Sequence, residues 1–129
     1  MEGVHALTDI TGFGLAGHSL ELARGAGLQV RISWQKVPLI PGARELAAQG
    51  CVTGASGRNW GSYGAEVSLS EGFAEVDKAL LSDPQTSGGL LVSCSAGSAG
   101  KVLEIFRTQG FADAAVVGEV VEGKGLAVC

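Results

Sequence analysis

The sequence predicts a single α+β domain in which helices are layered on a mixed β-sheet. Residues 28–34 alternate apolar with polar side chains, which is typical of a half-buried strand. Phe13, Ala16, Leu20 and Ala23 repeat at helical spacing, which predicts a helix from about Gly14 to Arg24. Residues 116–121 and 126–128 form two strand-like runs, interpreted as a terminal hairpin and therefore as an antiparallel pair. Helices that alternate with strands, together with one such hairpin, indicate a mixed sheet.

The first helix is predicted to follow residues 8–11, whose short polar side chains can cap free backbone amides. Gly25 and Gly27 are expected to end this helix. After the strand at 28–34, Pro41 suits the first turn of a short helix that runs through Gln49.

Residues 51–64 show no periodicity and are rich in glycine, so they are interpreted as a long ordered loop. Residues 54–59 could cradle an anion, with Arg58 as a forked donor. A solvated turn with a surface arginine explains the same residues, and the sequence does not separate these two alternatives.

The second half of the chain continues the alternation of strands and helices. The predicted elements are a short strand at 65–69, a helix at 72–81, a turn at 83–89, a buried strand at 90–94, and a helix capped by Ser95 or Ser98 and stopped by Gly110.

Composition excludes several classes of protein. The 129 residues fit one domain, and a hydrophobic fraction of 46% argues against disorder. A net charge of -4 with both signs interspersed argues against nucleic-acid binding. No apolar run approaches the roughly 20 residues that cross a bilayer, and the first residues do not resemble a signal peptide. Three cysteines at unrelated spacings make no metal or disulfide pattern, so a cytoplasmic, reducing location is expected.

Two phosphate-binding motifs are matched only in part. Residues 12–17 fit G-x-G-x-x-G, but residues 8–11 do not read as an apolar strand, and no acid stands about twenty residues further on. Residues 100–101 resemble the end of a P-loop, but Ser95 replaces its first glycine and Val102 its final Ser or Thr. We therefore assign a nucleotide to neither motif and interpret the second as a helix start with a surface lysine.

Asp9 has two open interpretations. It can cap the following helix, or it can bind magnesium or a phosphate-bridging cation beside a glycine-rich segment. One carboxylate does not make a magnesium site, so partner ligands would come from elsewhere. His5 and His18 are expected to be surface or packing histidines, because neither has suitably spaced partner ligands. Cys51 and Cys94 have no neighbouring base, so nucleophilic catalysis is unsupported.

Three segments of the chain together carry a family pattern. They are His5 to Leu15 with Gly17-His18, then Gly54 to Asn59 with Trp60 and Tyr63-Gly64, and finally Ser82 to Leu91. In this order they resemble the carboxy-terminal half of the selenophosphate synthetases (selenide, water dikinases). The wider superfamily includes aminoimidazole ribonucleotide synthetase, which lacks the Asp-x-Thr-Gly-Phe-Gly-Leu form of the first segment. Ala55-Ser56 departs from the family's Gly-Thr.

The resemblance implies a layered α/β fold, partly ferredoxin-like. Residues 1–129 would be one domain, the carboxy-terminal half of a two-domain synthetase. The missing amino-terminal domain would carry the catalytic Cys or selenocysteine, a Lys and further magnesium-binding aspartates. The family's magnesium-binding aspartate falls on Asp9. The residues that carry over as walls of the cofactor site are Thr11, Gly12, Gly14, Thr86 and Ser87.

The activity implied is that of a magnesium-dependent kinase of selenium metabolism and selenocysteine biosynthesis. The whole enzyme, expected to be a homodimer, would convert ATP, selenide and water to selenophosphate, AMP and phosphate. This chain alone would be inactive and would contribute a half-site for magnesium and the ATP phosphates. Two alternatives stay open: a stand-alone binding or regulatory module, and a domain of a related purine-pathway synthetase, which residues 83–89 disfavour.

Overall fold

A computed structural model describes residues 2–86 and 88–129, which form six strands in two sheets and five α-helices. The strands are β1 (Val4–Asp9), β2 (Gln29–Ile32), β3 (Val67–Leu69), β4 (Leu90–Cys94), β5 (Gly118–Val121) and β6 (Gly125–Val128). The helices are α1 (Gly14–Ala26), α2 (Ala43–Ala48), α3 (Gly54–Tyr63), α4 (Glu75–Leu81) and α5 (Ala99–Thr108). The predicted α+β class with a mixed sheet is confirmed.

The larger sheet has the strand order β3-β6-β2-β5, with β2 parallel to β6 and antiparallel to β5. The expected terminal hairpin is therefore wrong, because β2 lies between its two strands. Residues 122–124 can bridge two strand spacings, about 10 Å, without strain. Glycine at position 118 allows β5 to pair with β2, because a Cβ there would lie 1.9 Å from the Arg31 carbonyl oxygen. Because β2 lies between β5 and β6, both of its edges are hydrogen-bonded to a neighbouring strand. Its side chains Val30 and Ile32 are buried.

The smaller sheet pairs β1 with β4 antiparallel, with Asp9 opposite Leu90. The prediction that residues 8–11 form a helix entrance is wrong at this point, since β1 runs through Asp9. The strand at 90–94 is likewise not buried as expected, because this sheet exposes one face and Leu90 is 54% exposed. Although a strand does precede the glycine-rich segment, β1 and β2 belong to different sheets. The described residues therefore form no dinucleotide-binding β-α-β unit.

Helix α1 supplies the centre of the core and contacts both sheets. Ala16, Leu20 and Ala23 form its buried face at the spacing expected from the sequence. Phe13, expected on the same face, is instead the N-cap residue and is 54% exposed. The core residues are Ile10, Leu15, Ala16, Leu20, Ala23, Val30, Ile32, Tyr63, Leu81, Leu126 and Val128. Gly27 caps the helix in the left-handed conformation at φ +67°, as its sequence position predicts. No described helix has the length and apolar character needed to cross a membrane.

Helix α3 replaces the long loop expected at residues 51–64. Glycine has low helix propensity and no side chain to show periodicity, so the sequence pattern did not predict this helix. Its first turn is capped by Thr53, whose hydroxyl accepts a hydrogen bond of 3.2 Å from the Ser56 amide. Its buried residues, Ser56 and Tyr63, attach it to the rest of the domain.

Two substitutions test the helix directly. Gly57 and Gly61 lie inside α3, and nothing lies within 4 Å of a Cβ added at either. Gly57→Ala and Gly61→Ala should each stabilise the domain by about 0.5–1 kcal/mol, because alanine lowers the entropy of the unfolded chain and favours the helix. Chemical denaturation of both variants measures this. Gly72→Ala is the control, because its added Cβ is equally unobstructed but its backbone is left-handed at φ +79°, so alanine should give no gain there, and an equal gain would contradict the explanation.

Candidate functional site

The candidate site begins where β1 passes into α1. Ile10 is buried, whereas Asp9 and Thr11 on either side of it are exposed. β1 ends at Asp9 and the chain turns after it, so these two exposed residues lie two positions apart at the end of the strand.

Asp9 is not the helix cap that one interpretation of the sequence allowed. The N-cap position of α1 is Phe13, which makes no side-chain capping hydrogen bond. The cap is displaced because the chain turns after Asp9, and the Gly14 amide donates to the Thr11 carbonyl at 3.1 Å. The Asp9 carboxylate is thus left available to a ligand.

The backbone of residues 82–86 and 88–89 lies directly beside this connection. The Gln85 amide donates to the Thr11 carbonyl at 3.0 Å, and the Ile10 amide donates to the Gly89 carbonyl at 2.9 Å. Gly88 allows the approach, since a Cβ there would lie 2.0 Å from the Ile10 carbonyl oxygen. The first and third sequence segments that carry the family pattern are therefore adjacent in space.

Of the two residues expected from that third segment, Thr86 follows Gln85 and is exposed at the same edge. Ser87 lies outside the described residues. The segment also holds Asp83, where burial raises the pKa of the carboxyl and a hydrogen bond with Thr53 opposes that rise.

The two glycines expected in the site have different roles. Gly14 adopts φ +71°, and a Cβ there would lie 2.7 Å from the Ser82 carbonyl carbon. Its role is therefore structural, because it lets the two backbone segments meet. Gly12 has no positive φ, and nothing lies within 4 Å of a Cβ added there. The space over Gly12 is open to a ligand.

Helix α3 holds the glycine-rich turn through two side chains one helical turn apart. The side-chain nitrogen of Asn59, Nδ2, donates to the Gly12 carbonyl at 2.8 Å and to the Ser82 carbonyl at 3.0 Å. The Tyr63 hydroxyl donates to the Phe13 carbonyl at 2.6 Å. Burial raises the pKa of Tyr63 to about 12, so the hydroxyl remains a donor at neutral pH.

These two residues were missed by the sequence analysis, which singled out Arg58. Arg58 is exposed, whereas Asn59 and Tyr63 face inward. Their spacing of four residues would have identified them had residues 54–63 been interpreted as a helix. Ser56 lies on the same helix and shares a buried 2.7 Å hydrogen bond with Ser82, which joins α3 to the end of α4.

His18 is 6% exposed and has a partner for each ring nitrogen. Its Nε2 lies 3.1 Å from the Thr11 hydroxyl, and its Nδ1 lies 3.0 Å from a carboxylate oxygen of Glu21. The expectation of a packing histidine is correct, but the sequence did not reveal its link to Thr11. His5 is exposed on β1.

The described residues fit one side of a magnesium site. Asp9 and Thr11 offer the hard oxygen donors that magnesium prefers. No group of three or more His, Cys, Asp or Glu side chains that could hold a metal occurs in the described part of the chain. Further ligands would therefore have to come from another part of a larger protein or from phosphate oxygens.

Apolar side chains border the Asp9 side of the small sheet. Leu7 is 60% exposed two residues before Asp9, and Leu90 is 54% exposed opposite it. Phe13 is also 54% exposed at the start of α1. Exposed apolar side chains grouped around a polar centre are typical of a surface that contacts another protein or domain.

Comparison with known proteins places these features in a family. Residues 1–128 match the family model described as AIR synthase related protein, C-terminal domain. The selenide, water dikinase of Pseudomonas straminea is 58% identical over 123 residues, which cover 95% of this chain and 34% of that protein. The chain spans about a third of the length of the curated relatives it matches.

Two solved structures share the fold. Escherichia coli HypE, a hydrogenase maturation protein, superposes with a TM-score of 0.70 at 22% identity, covering 99% of this chain and 32% of HypE. AaThiL complexed with AMPPCP and TMP superposes with a TM-score of 0.50 at 20% identity, covering 98% and 30%. At these identities the likeness concerns the fold alone.

The two glycines of the turn provide a matched test of the site's construction. Gly14→Ala should destabilise the domain by roughly 2 kcal/mol or more, because a Cβ would strain the left-handed backbone and strike Ser82. Gly12→Ala should change stability by about 0.5 kcal/mol or less. Thermal and urea unfolding compare the two variants, and equal effects would mean that the turn is not held as described.

Proposed function

This chain belongs to the family of AIR synthase related proteins, as their C-terminal domain, and from that membership we propose that it contributes a magnesium and ATP-phosphate half-site to a selenide, water dikinase. The whole enzyme would form selenophosphate from selenide, ATP and water, with AMP and phosphate as the other products. The name of the Pseudomonas straminea relative, at 58% identity, supports the choice of reaction. The nucleotide analogue bound to AaThiL supports a nucleotide in this fold.

The proposal depends on one observation: an exposed carboxylate, Asp9, precedes a glycine, Gly12, whose backbone is open to a ligand. Asp9 and Thr11 are exposed two residues apart at the end of β1, and a Cβ added at Gly12 would meet nothing within 4 Å. Phosphate groups approach glycine backbone closely, and a carboxylate nearby can share a magnesium ion with them. Thr86, on the adjacent segment, would form a further wall of the site, and the family resemblance alone adds Ser87 to the proposal.

Each residue of the half-site has a distinct part in the proposal. Asp9 would occupy one coordination position, and bound magnesium would neutralise charge on the phosphates. Gly12 would admit the phosphates close to the backbone, while Asn59 and Tyr63 keep the turn from moving. Phosphoryl transfer depends chiefly on such positioning and charge neutralisation, so a domain without a nucleophile can be essential to it.

The other half of the site would come from an amino-terminal domain of the same protein. That domain would supply the nucleophile, a lysine and further aspartates, and would cover Leu7, Leu90 and Phe13. Such sharing agrees with the described residues, which include no group of three or more His, Cys, Asp or Glu side chains able to hold a metal by themselves.

Asp9→Asn tests the proposed metal ligand. The variant is made in a fusion that joins the preceding part of the Pseudomonas straminea relative to this chain. Because amide oxygen is a weaker magnesium ligand than carboxylate, selenide-dependent AMP formation should fall at least roughly 10-fold. The melting temperature should hardly change, because Asp9 is exposed and caps no helix. Asp113→Asn, another exposed acid, is the control. Normal activity of the Asp9 variant would contradict the proposal.

The chain alone should bind ATP with magnesium only weakly. One carboxylate and a helix start provide few ligands, so the dissociation constant should be about 1 mM or weaker. Calorimetry on the 129-residue chain measures it, with the Asp9→Asn variant as the comparison. A micromolar constant that depends on Asp9 would show a complete nucleotide site here and favour a stand-alone binding module.

A further inference from the structure

A chain of three side chains leads from the surface of α1 to the candidate site. The exposed carboxylate of Glu21 lies 3.0 Å from Nδ1 of His18. The buried imidazole spans the interior, and its Nε2 lies 3.1 Å from the hydroxyl of Thr11. His18 and Glu21 are three residues apart on α1, so their contact is supported by the helix itself.

The chemistry of these groups sets the direction of each hydrogen bond. An ionised carboxylate can only accept, so when the imidazole is neutral its single proton lies on Nδ1. Nε2 is then a bare acceptor, and its neighbour must donate to it. The Thr11 hydroxyl therefore directs its only proton inward to His18. Its remaining lone pairs are the part of the group left for any other partner.

We propose that His18 is a positioning residue that turns the Thr11 hydroxyl so that it acts toward the site as a hydrogen-bond acceptor. Its partner would be a water molecule bound to the magnesium ion at Asp9, because such a water is a donor. A fully ionised phosphate oxygen offers no proton and cannot fill this role. The inference rests on the proposed function and refines it, since it assigns Thr11 to the hydrated cation and not to the phosphates.

The position of Thr11 supports this assignment. Thr11 and Asp9 are both exposed and are separated in the chain only by the buried Ile10. The Thr11 carbonyl is already engaged by the amides of Gly14 and Gln85, so the backbone of this residue is held in place. With the backbone held and the proton directed inward, the hydroxyl oxygen has a defined direction.

Nuclear magnetic resonance of the nitrogen-15-labelled chain tests the tautomer without any catalytic assay. Long-range proton–nitrogen spectra should show His18 with a protonated Nδ1 and an unprotonated Nε2. His5, the exposed histidine, is the internal control and should show averaged tautomers. In Thr11→Val the Nε2 resonance of His18 should move downfield as it loses its donor, while His5 stays unchanged. A protonated Nε2, or no response to Thr11→Val, would overturn the inference.

Kinetics of the fusion enzyme test the consequence. Thr11→Val should weaken the apparent affinity for magnesium roughly 10- to 100-fold, as happens in other metal sites when a residue that hydrogen-bonds a metal ligand is removed. The KM for ATP at saturating magnesium should change far less, and Thr11→Ser should restore the normal value. An equal rise in both constants would instead assign Thr11 to the phosphates and contradict the inference.

A double-mutant cycle separates positioning from packing. His18→Asn and Thr11→Val remove the same hydrogen bond, so their combined effect on magnesium affinity should be no larger than that of either alone. Additive effects would mean that His18 only fills space. If His18→Asn unfolds the domain, Glu21→Ala, at an exposed position, replaces it and should reproduce the loss of a single tautomer and of magnesium affinity.

Full activity of Asp9→Asn would refute the proposed function, whereas an impaired Asp9→Asn beside a normal Thr11→Val would refute this inference alone.

Discussion

Two backbone segments, residues 10–14 and residues 82–86 with 88–89, approach each other so closely at two positions that only glycine fits there. Gly14 and Gly88 occupy the points of closest approach, where a Cβ would lie within 3 Å of opposing backbone atoms. The hydrogen bonds between the segments satisfy backbone groups that would otherwise be left unpaired beside the core. This contact determines where β1 ends, how α1 begins and which side of the connection faces solvent.

Helix α3 stabilises that contact from outside. Its side chains reach the carbonyls of Gly12, Phe13 and Ser82, so one helix spans both segments. Each such hydrogen bond contributes about 1 kcal/mol in net terms, but leaving a buried carbonyl unpaired would cost more. Because the donors are neutral side chains, the bonds restrain the turn without adding charge close to Asp9. The result is a rigid turn whose ligand-facing side remains free, which is what a binding site on a backbone requires.

Folding of the domain does not use the Asp9 carboxylate as a helix cap. Asp9 and Thr11 face solvent, and exposed apolar side chains border Asp9. A magnesium ion needs several oxygen ligands and retains water, so one carboxylate is sufficient only where other groups share the ion. A site divided between two bodies also allows substrate entry before closure. This is the physical basis for proposing that the domain acts within a larger enzyme.

Local patterns in the sequence were sufficient for the elements whose stability is local or whose face is uniformly apolar. The helical spacing of Ala16, Leu20 and Ala23 predicted α1, and the alternation around Val30 and Ile32 predicted β2. The sequence also identified Asp9 and the glycine-rich turn as the candidate site.

Only the tertiary structure decided the rest. The glycines of α3 disfavour a helix, which exists because Ser56, Asn59 and Tyr63 find partners far away in the chain. The terminal strands are separated because β2 needs a neighbour on each edge, and no local pattern records that need. The pairing of His18 with Thr11 depends on how the chain turns between them, which is set by its contact with residues 82–86 and 88–89.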